Sequence, residues 1–154
     1  MRYASTLLGL GAAIVLAAGC AEVAKPALGP ENNLTVVNQQ DTFSLAIDDL
    51  KNVYTELSYT WPNSEPRARI FHCTFLPHGD GLIVITDAAG DTVYEREVLY
   101  RLEGLTSAGA PGDWTVFVGL YGVTGSWLDF VLDATADTVV SGAAMKDICE
   151  ARGR

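Results

Sequence analysis

Residues 112–134 constrain this chain more than any other stretch, because apolar and polar side chains alternate through them on either side of a glycine-bearing middle. Trp114, Val116, Val118 and Leu120 form one row, with Thr115, Phe117, Gly119 and Tyr121 between them. Leu128, Phe130 and Leu132 then alternate with Trp127, Asp129, Val131 and Asp133. Successive side chains of a strand point to opposite faces, so the pattern predicts two strands sharing an inner row, and the two aspartates mark the other row as outer. A slip of one residue would turn a whole apolar set outward, which favours Leu120 opposite Leu128, Val118 opposite Phe130 and Val116 opposite Leu132. Val123, Thr124 and Gly125 are left as a three-residue hairpin loop, with glycine in the left-handed position that a Cβ disfavours. The outer face then sets Tyr121 against Trp127 and Phe117 against Val131, an unusually apolar composition for a solvated face.

The preceding chain reads as further short strands. Residues 34–37, 42–47 and 54–61 are extended by pattern, with a polar connection at 48–52 and a turn at 62–66. Residues 67–75 put Arg67, Arg69, Phe71, Cys73 and Phe75 on one side and Ala68, Ile70, His72 and Thr74 on the other. Residues 81–87 and 91–98 form a second hairpin that bends at Gly90, and the unbroken apolar run 82–85 predicts a strand covered on both faces. Residues 99–111 read as a long loop. In the tail, Val140, Ala144 and Ile148, with Met145 and Cys149, fall at helical spacing, predicting a short C-terminal helix despite Gly142. About eight short strands punctuated by turn residues point to an all-β, antiparallel β-sandwich over 34–134, with 135–154 packed on it.

The first residues have another character. Arg2 precedes an apolar core of about ten residues at 7–16, too short to span a bilayer, and small residues follow, so 1–19 reads as a secretory signal peptide. Leu16-Ala17-Ala18-Gly19-Cys20 resembles the lipobox of bacterial lipoproteins, with Ala rather than Leu three places before the cysteine. The resemblance implies acylation of Cys20, a membrane partner reached through acyl chains, and residues 20–33 as a tether. Ala21 and Glu22 follow the cysteine where an aspartate would signal inner-membrane retention, so the resemblance implies the outer membrane.

Acylation leaves Cys73 and Cys149, which an oxidising compartment would join, two buried free thiols being the alternative. A net charge of −9 argues against nucleic acid as a partner. His72 and His78 have no zinc-ligand spacing around them, no G-x-S-x-G elbow or phosphate-binding glycine loop occurs, and Asp80, Asp87 and Asp91 read as turn aspartates rather than a calcium loop. No cofactor and no metal is expected, and no enzyme. Phe117, Tyr121 and Trp127 are the candidate binding patch, with three readings open: cover by the chain's own tail, a protein partner, or stacking on sugar.

Asp41-Thr42-Phe43, residues 82–90 and Pro111-Gly112-Asp113-Trp114-Thr115-Val116 resemble strand signatures of bacterial pre-peptidase C-terminal-type sandwiches and similar secreted jelly rolls. Such domains are accessory modules, so the resemblance implies binding or display. The expectation is a lipid-anchored exported protein with a non-enzymatic role in envelope assembly or partner binding, with a carbohydrate-binding module as the alternative.

Overall fold

The computed structural model describes residues 27–98 and 101–134. After a single 3-10 turn at Pro30–Asn32 come β1 (Thr35–Gln39), β2 (Thr42–Asn63), β3 (Arg69–Phe75), β4 (His78–Thr86), β5 (Thr92–Glu97), β6 (Leu102–Leu105) and β7 (Gly112–Asp133). The described chain is all-β, and every strand pairing joins neighbours antiparallel in one seven-stranded sheet. The leader, Cys20 and the expected C-terminal helix lie outside the described residues.

The hairpin expected within 112–134 does not form. β7 runs through as one strand of 22 residues and pairs with β2, also 22 residues, from Asn63↔Gly112 to Thr42↔Asp133. Val123 lies opposite Val53 and Gly125 opposite Leu50, so the supposed loop is paired backbone, and the polar connection at 48–52 lies inside β2. A straight strand of this length would span about 70 Å. Yet the Asp41 N–H donates to the Pro62 carbonyl at 2.9 Å, and the rings of Phe43 and Tyr59 lie 5.5 Å apart. The β2–β7 ribbon therefore doubles back on itself.

The bend has an identifiable cause. Register shifts fall between Leu50 and Val53 and between Val53 and Tyr54, where Asp49 (φ 49°), Asn52 (φ 53°) and Gly122 (φ 66°) adopt the left-handed conformation. Extra residues of this kind form bulges that bend a ladder, and short polar Asp and Asn tolerate the geometry better than other side chains. The buried row steps from Leu120 to Val123 and from Val123 to Leu128 in β7, and from Ile47 to Leu50 to Val53 in β2. Each strand thus makes two odd steps, which cancel, and the same face enters the core on both sides of the bend. Trp114, Val116, Val118, Leu120, Leu128, Phe130 and Leu132, the inner row read from the sequence, are all fully buried.

β3 and β4 follow β7 through the same bend. β3 pairs with 127–133 and β4 with 115–124, separated by Leu76 and Pro77, so this third pass breaks at a proline where β2 and β7 bulge. A Cβ on Gly125 would collide with the Phe75 carbonyl oxygen and with Leu76. Gly125 is needed for this close approach, and Gly122 carries the left-handed turn of the backbone.

The bend divides the sheet into a five-strand half (β1, residues 42–48 of β2, residues 127–133 of β7, β3 and β6) and a four-strand half (residues 54–63 of β2, residues 112–121 of β7, β4 and β5). One apolar cluster joins them, with Phe43, Ile47, Ile70 and Phe130 from the first and Trp61, Ile83, Ile85 and Trp114 from the second. Trp61 and Trp114 meet edge to face at 5.8 Å, and each indole N–H reaches a carbonyl, that of Gln39 and of Ala110 respectively. The β4–β5 hairpin forms with Gly90 at φ 90°, as the sequence predicts. In β4, however, Leu82 and Val84 are only half-buried while Ile83 and Ile85 are buried, so the strand alternates where full cover was expected. β6 lies in the expected loop 99–111; its four residues, one of them Gly104, are too few to show a period.

Candidate functional site

The structure distributes the candidate patch over both halves of the sheet. Tyr121 is flanked by Tyr54 and Asp80, Phe117 by Ser58 and Val84, and Trp127 by Asp48 and Phe75. The expected Tyr121–Trp127 and Phe117–Val131 neighbours are not made, because the register that implied them belonged to the hairpin. Tyr121 lies over Gly119, where a Cβ would meet its ring at 2.8 Å, and its hydroxyl donates to Glu56 at 2.9 Å. The Glu56 carboxylate, first by accepting this bond, holds the Tyr121 phenol above its ordinary ionisation range. Tyr121 is thus engaged locally, though 37% exposed, and Phe117 and Trp127 are half-buried.

Cys73 is buried on β3, on the side opposite the core row of Ile70, His72 and Thr74. Cys149 and the pairing between them lie outside the described residues, as does Cys20. His72 is buried at the centre of β3, whereas His78 is exposed at the start of β4.

Asp87 organises the β4–β5 turn. Its Oδ1 accepts from the Ala89 and Asp91 N–H groups, each at 2.9 Å, and its Oδ2 from Ala110 N–H at 2.6 Å. The Ala110 amide above all, then those of Asp91 and Ala89, hold the Asp87 carboxyl below the usual aspartate range, with burial acting in the opposite sense. Oδ1 thus serves the turn, and Oδ2 ties it to the segment leading into β7. Among the described residues no group of three or more His, Cys, Asp and Glu side chains is placed to hold a metal ion.

One feature the sequence did not reveal is a groove between β5 and β6. Two open clefts, of about 470 and 550 Å³, share Glu95, Arg96 and Leu102; the larger also reaches Arg101, Glu97 and buried His72. In the described sheet β5 pairs only with β4 and β6 only with β3, so both strands present a free edge to the groove. At one end the Ser107 N–H donates to the Val93 carbonyl at 2.9 Å and ties the two walls. Acids and bases lining the groove around a leucine suit a polypeptide in extended conformation, whose main chain can pair with an open strand edge while alternate side chains find polar contacts. The signal was missed because β6 itself was missed.

No protein-family model matches the chain, and no curated protein matches it either.

Proposed function

We propose that this chain is an exported lipoprotein, acylated at Cys20, held to the outer membrane, and serving a non-enzymatic role in which it binds a protein partner of the envelope. Its folded-over sheet is then a β-sandwich, with the five-strand and four-strand halves as its two layers and the shared apolar cluster as its interior. The groove between β5 and β6 carries the binding reading, because two free strand edges beside Leu102 supply main-chain hydrogen bonding for an extended segment. The resemblance of residues 16–20 to a lipobox supports the address.

The carbohydrate-binding alternative is less well supported. Of three tryptophans, Trp61 and Trp114 are wholly buried against each other, which leaves half-buried Trp127 for stacking on a sugar ring. Replacing Leu102 with a photo-crosslinking residue in the native envelope tests the reading, with Ser58, exposed beside Phe117 in the four-strand half, as control. A specific adduct from position 102 alone supports it; equal labelling from both positions, or none, removes it. Quenching of tryptophan fluorescence by cell-wall glycans, lost in Trp127→Ala, would favour the sugar reading. Palmitate incorporation abolished by Cys20→Ala tests the anchor separately.

A further inference from the structure

β3 presents two faces, and both are buried. Ile70, His72 and Thr74 lie opposite Leu132, Phe130 and Leu128 and enter the core. Phe71 and Cys73 point the other way, beside Val131 and Asp129, and neither belongs to the core cluster. Even so, Phe71 is 5% exposed, Cys73 2% and Asp129 9%, while Phe75, next on the same face, is 51% exposed. Arg101 stacks over the Phe71 ring at 5.7 Å and shields one side of it. A sheet face bare to water would not bury a phenylalanine, a cysteine and an aspartate at its centre while leaving its end open.

We propose that residues 135–154 of this same chain lie across the outer face of β3 and of residues 127–133 of β7, fastened by a disulfide between Cys73 and Cys149. The segment leaves β7 next to Asp133, which pairs with Arg69 at one end of this face. Cys73 pairs with Asp129, four residues back along β7, or about 13 Å. Cys149 follows Asp133 by sixteen residues; about four to reverse direction leave about twelve, which as a helix extend about 18 Å, enough to return over Cys73. The helical spacing of Val140, Ala144 and Ile148, with Met145 and Cys149 beside them, supplies an apolar stripe for Phe71 and Val131. Joining the thiols releases two protons and two electrons, which a dithiol–disulfide oxidant of the exported compartment takes up by exchange. The bond therefore rests on the export proposed above, whereas the packing does not.

The test uses full-length protein recovered from cells without reductant, alkylated with iodoacetamide in denaturant and mapped by mass. The expected result is a linked Cys73–Cys149 peptide, with neither cysteine alkylated until dithiothreitol is added. Free thiols in envelope-associated protein, or Cys73 joined to another molecule, would overturn the bond; free thiols in protein found in the cytosol would instead overturn export. The cover is tested by hydrogen exchange in full-length Ile148→Asp. Exchange of the β3 amides is expected to rise at least about ten-fold while residues 116–120 stay protected, and unchanged β3 exchange would overturn the cover.

Discussion

The two halves of the folded-over sheet share their inner chemistry and differ in their outer chemistry. On the inside, both contribute fully buried aliphatic and aromatic side chains to one cluster. On the outside, the five-strand half buries Phe71, Cys73 and Asp129, whereas the four-strand half shows exposed Tyr121, Glu56, Ser58 and Glu95. The inner rows are dictated by continuity, since β2 and β7 run through both halves. The outer rows answer to whatever each face meets, which is water over the four-strand half and, by the proposal above, the chain's own tail over the other.

The strongest way to break this picture is to cut the core in one half at a time. Phe130→Ala removes a fully buried ring from the five-strand half, and Trp114→Ala one from the four-strand half. Each is expected to cost about 3–5 kcal/mol in urea denaturation. Because β2 and β7 belong to both halves, each variant should still unfold in one transition, seen alike by fluorescence and far-ultraviolet circular dichroism. Two separated transitions would show that the halves are independent units.

The bend between the halves gives the next effect. Gly122 has φ 66° and its added Cβ would meet the Tyr54 hydroxyl at 2.9 Å, while Gly90 has φ 90° with open space around it. Gly122→Ala is expected to cost about 2–3 kcal/mol and Gly90→Ala about 1 kcal/mol, the first adding crowding to backbone strain. Gly125→Ala, which would press on the Phe75 carbonyl, should group with Gly122→Ala. Equal, small losses at all three would mean that the bend is not tightly packed.

These glycines also show where the sequence was legible. The inner row of β7 was readable in full, because burial imposes a period of two whether a strand turns into a hairpin or bends through bulges. Which of the two occurs was not readable: both keep Leu120 and Leu128 inside, and Gly125 suits a left-handed loop as well as a close crossing. What decides is the partner, since β2 carries matching odd steps at Leu50 and Val53, and a strand of 22 residues lies far outside the usual length. The groove was hidden with β6, and the new register divides the aromatic patch, leaving Phe117 and Tyr121 in one half and Trp127 in the other. Gly90 was legible because a tight turn between two alternating runs has one local solution.

Asp87 supplies a smaller effect, confined to the four-strand half. Its folded carboxyl titrates below the ordinary aspartate range, so the unfolded chain binds the proton more readily and protonation favours unfolding. The stabilisation is complete above the ordinary aspartate range and is lost as pH falls through that range toward the depressed folded value. The urea midpoint of the native protein should therefore drop between pH 5 and pH 3 by more than that of Asp87→Asn. Parallel pH profiles would mean that the three amide hydrogen bonds contribute no net stability.

The smallest effect probes the outer face of the four-strand half. Tyr121→Phe keeps the ring over Gly119 and removes only the bond to Glu56, so stability should change by no more than about 0.5 kcal/mol. Trp127→Ala, in the other half beside Phe75, should cost more, because it removes a half-buried indole from the face assigned to the tail. If Tyr121 and Trp127 act on separate faces, the losses in Tyr121→Ala, Trp127→Ala and the double variant should add to within about 0.5 kcal/mol. A larger coupling would bring the two side chains back into one patch, and the contrast between a wetted and a covered outer face would fall with it.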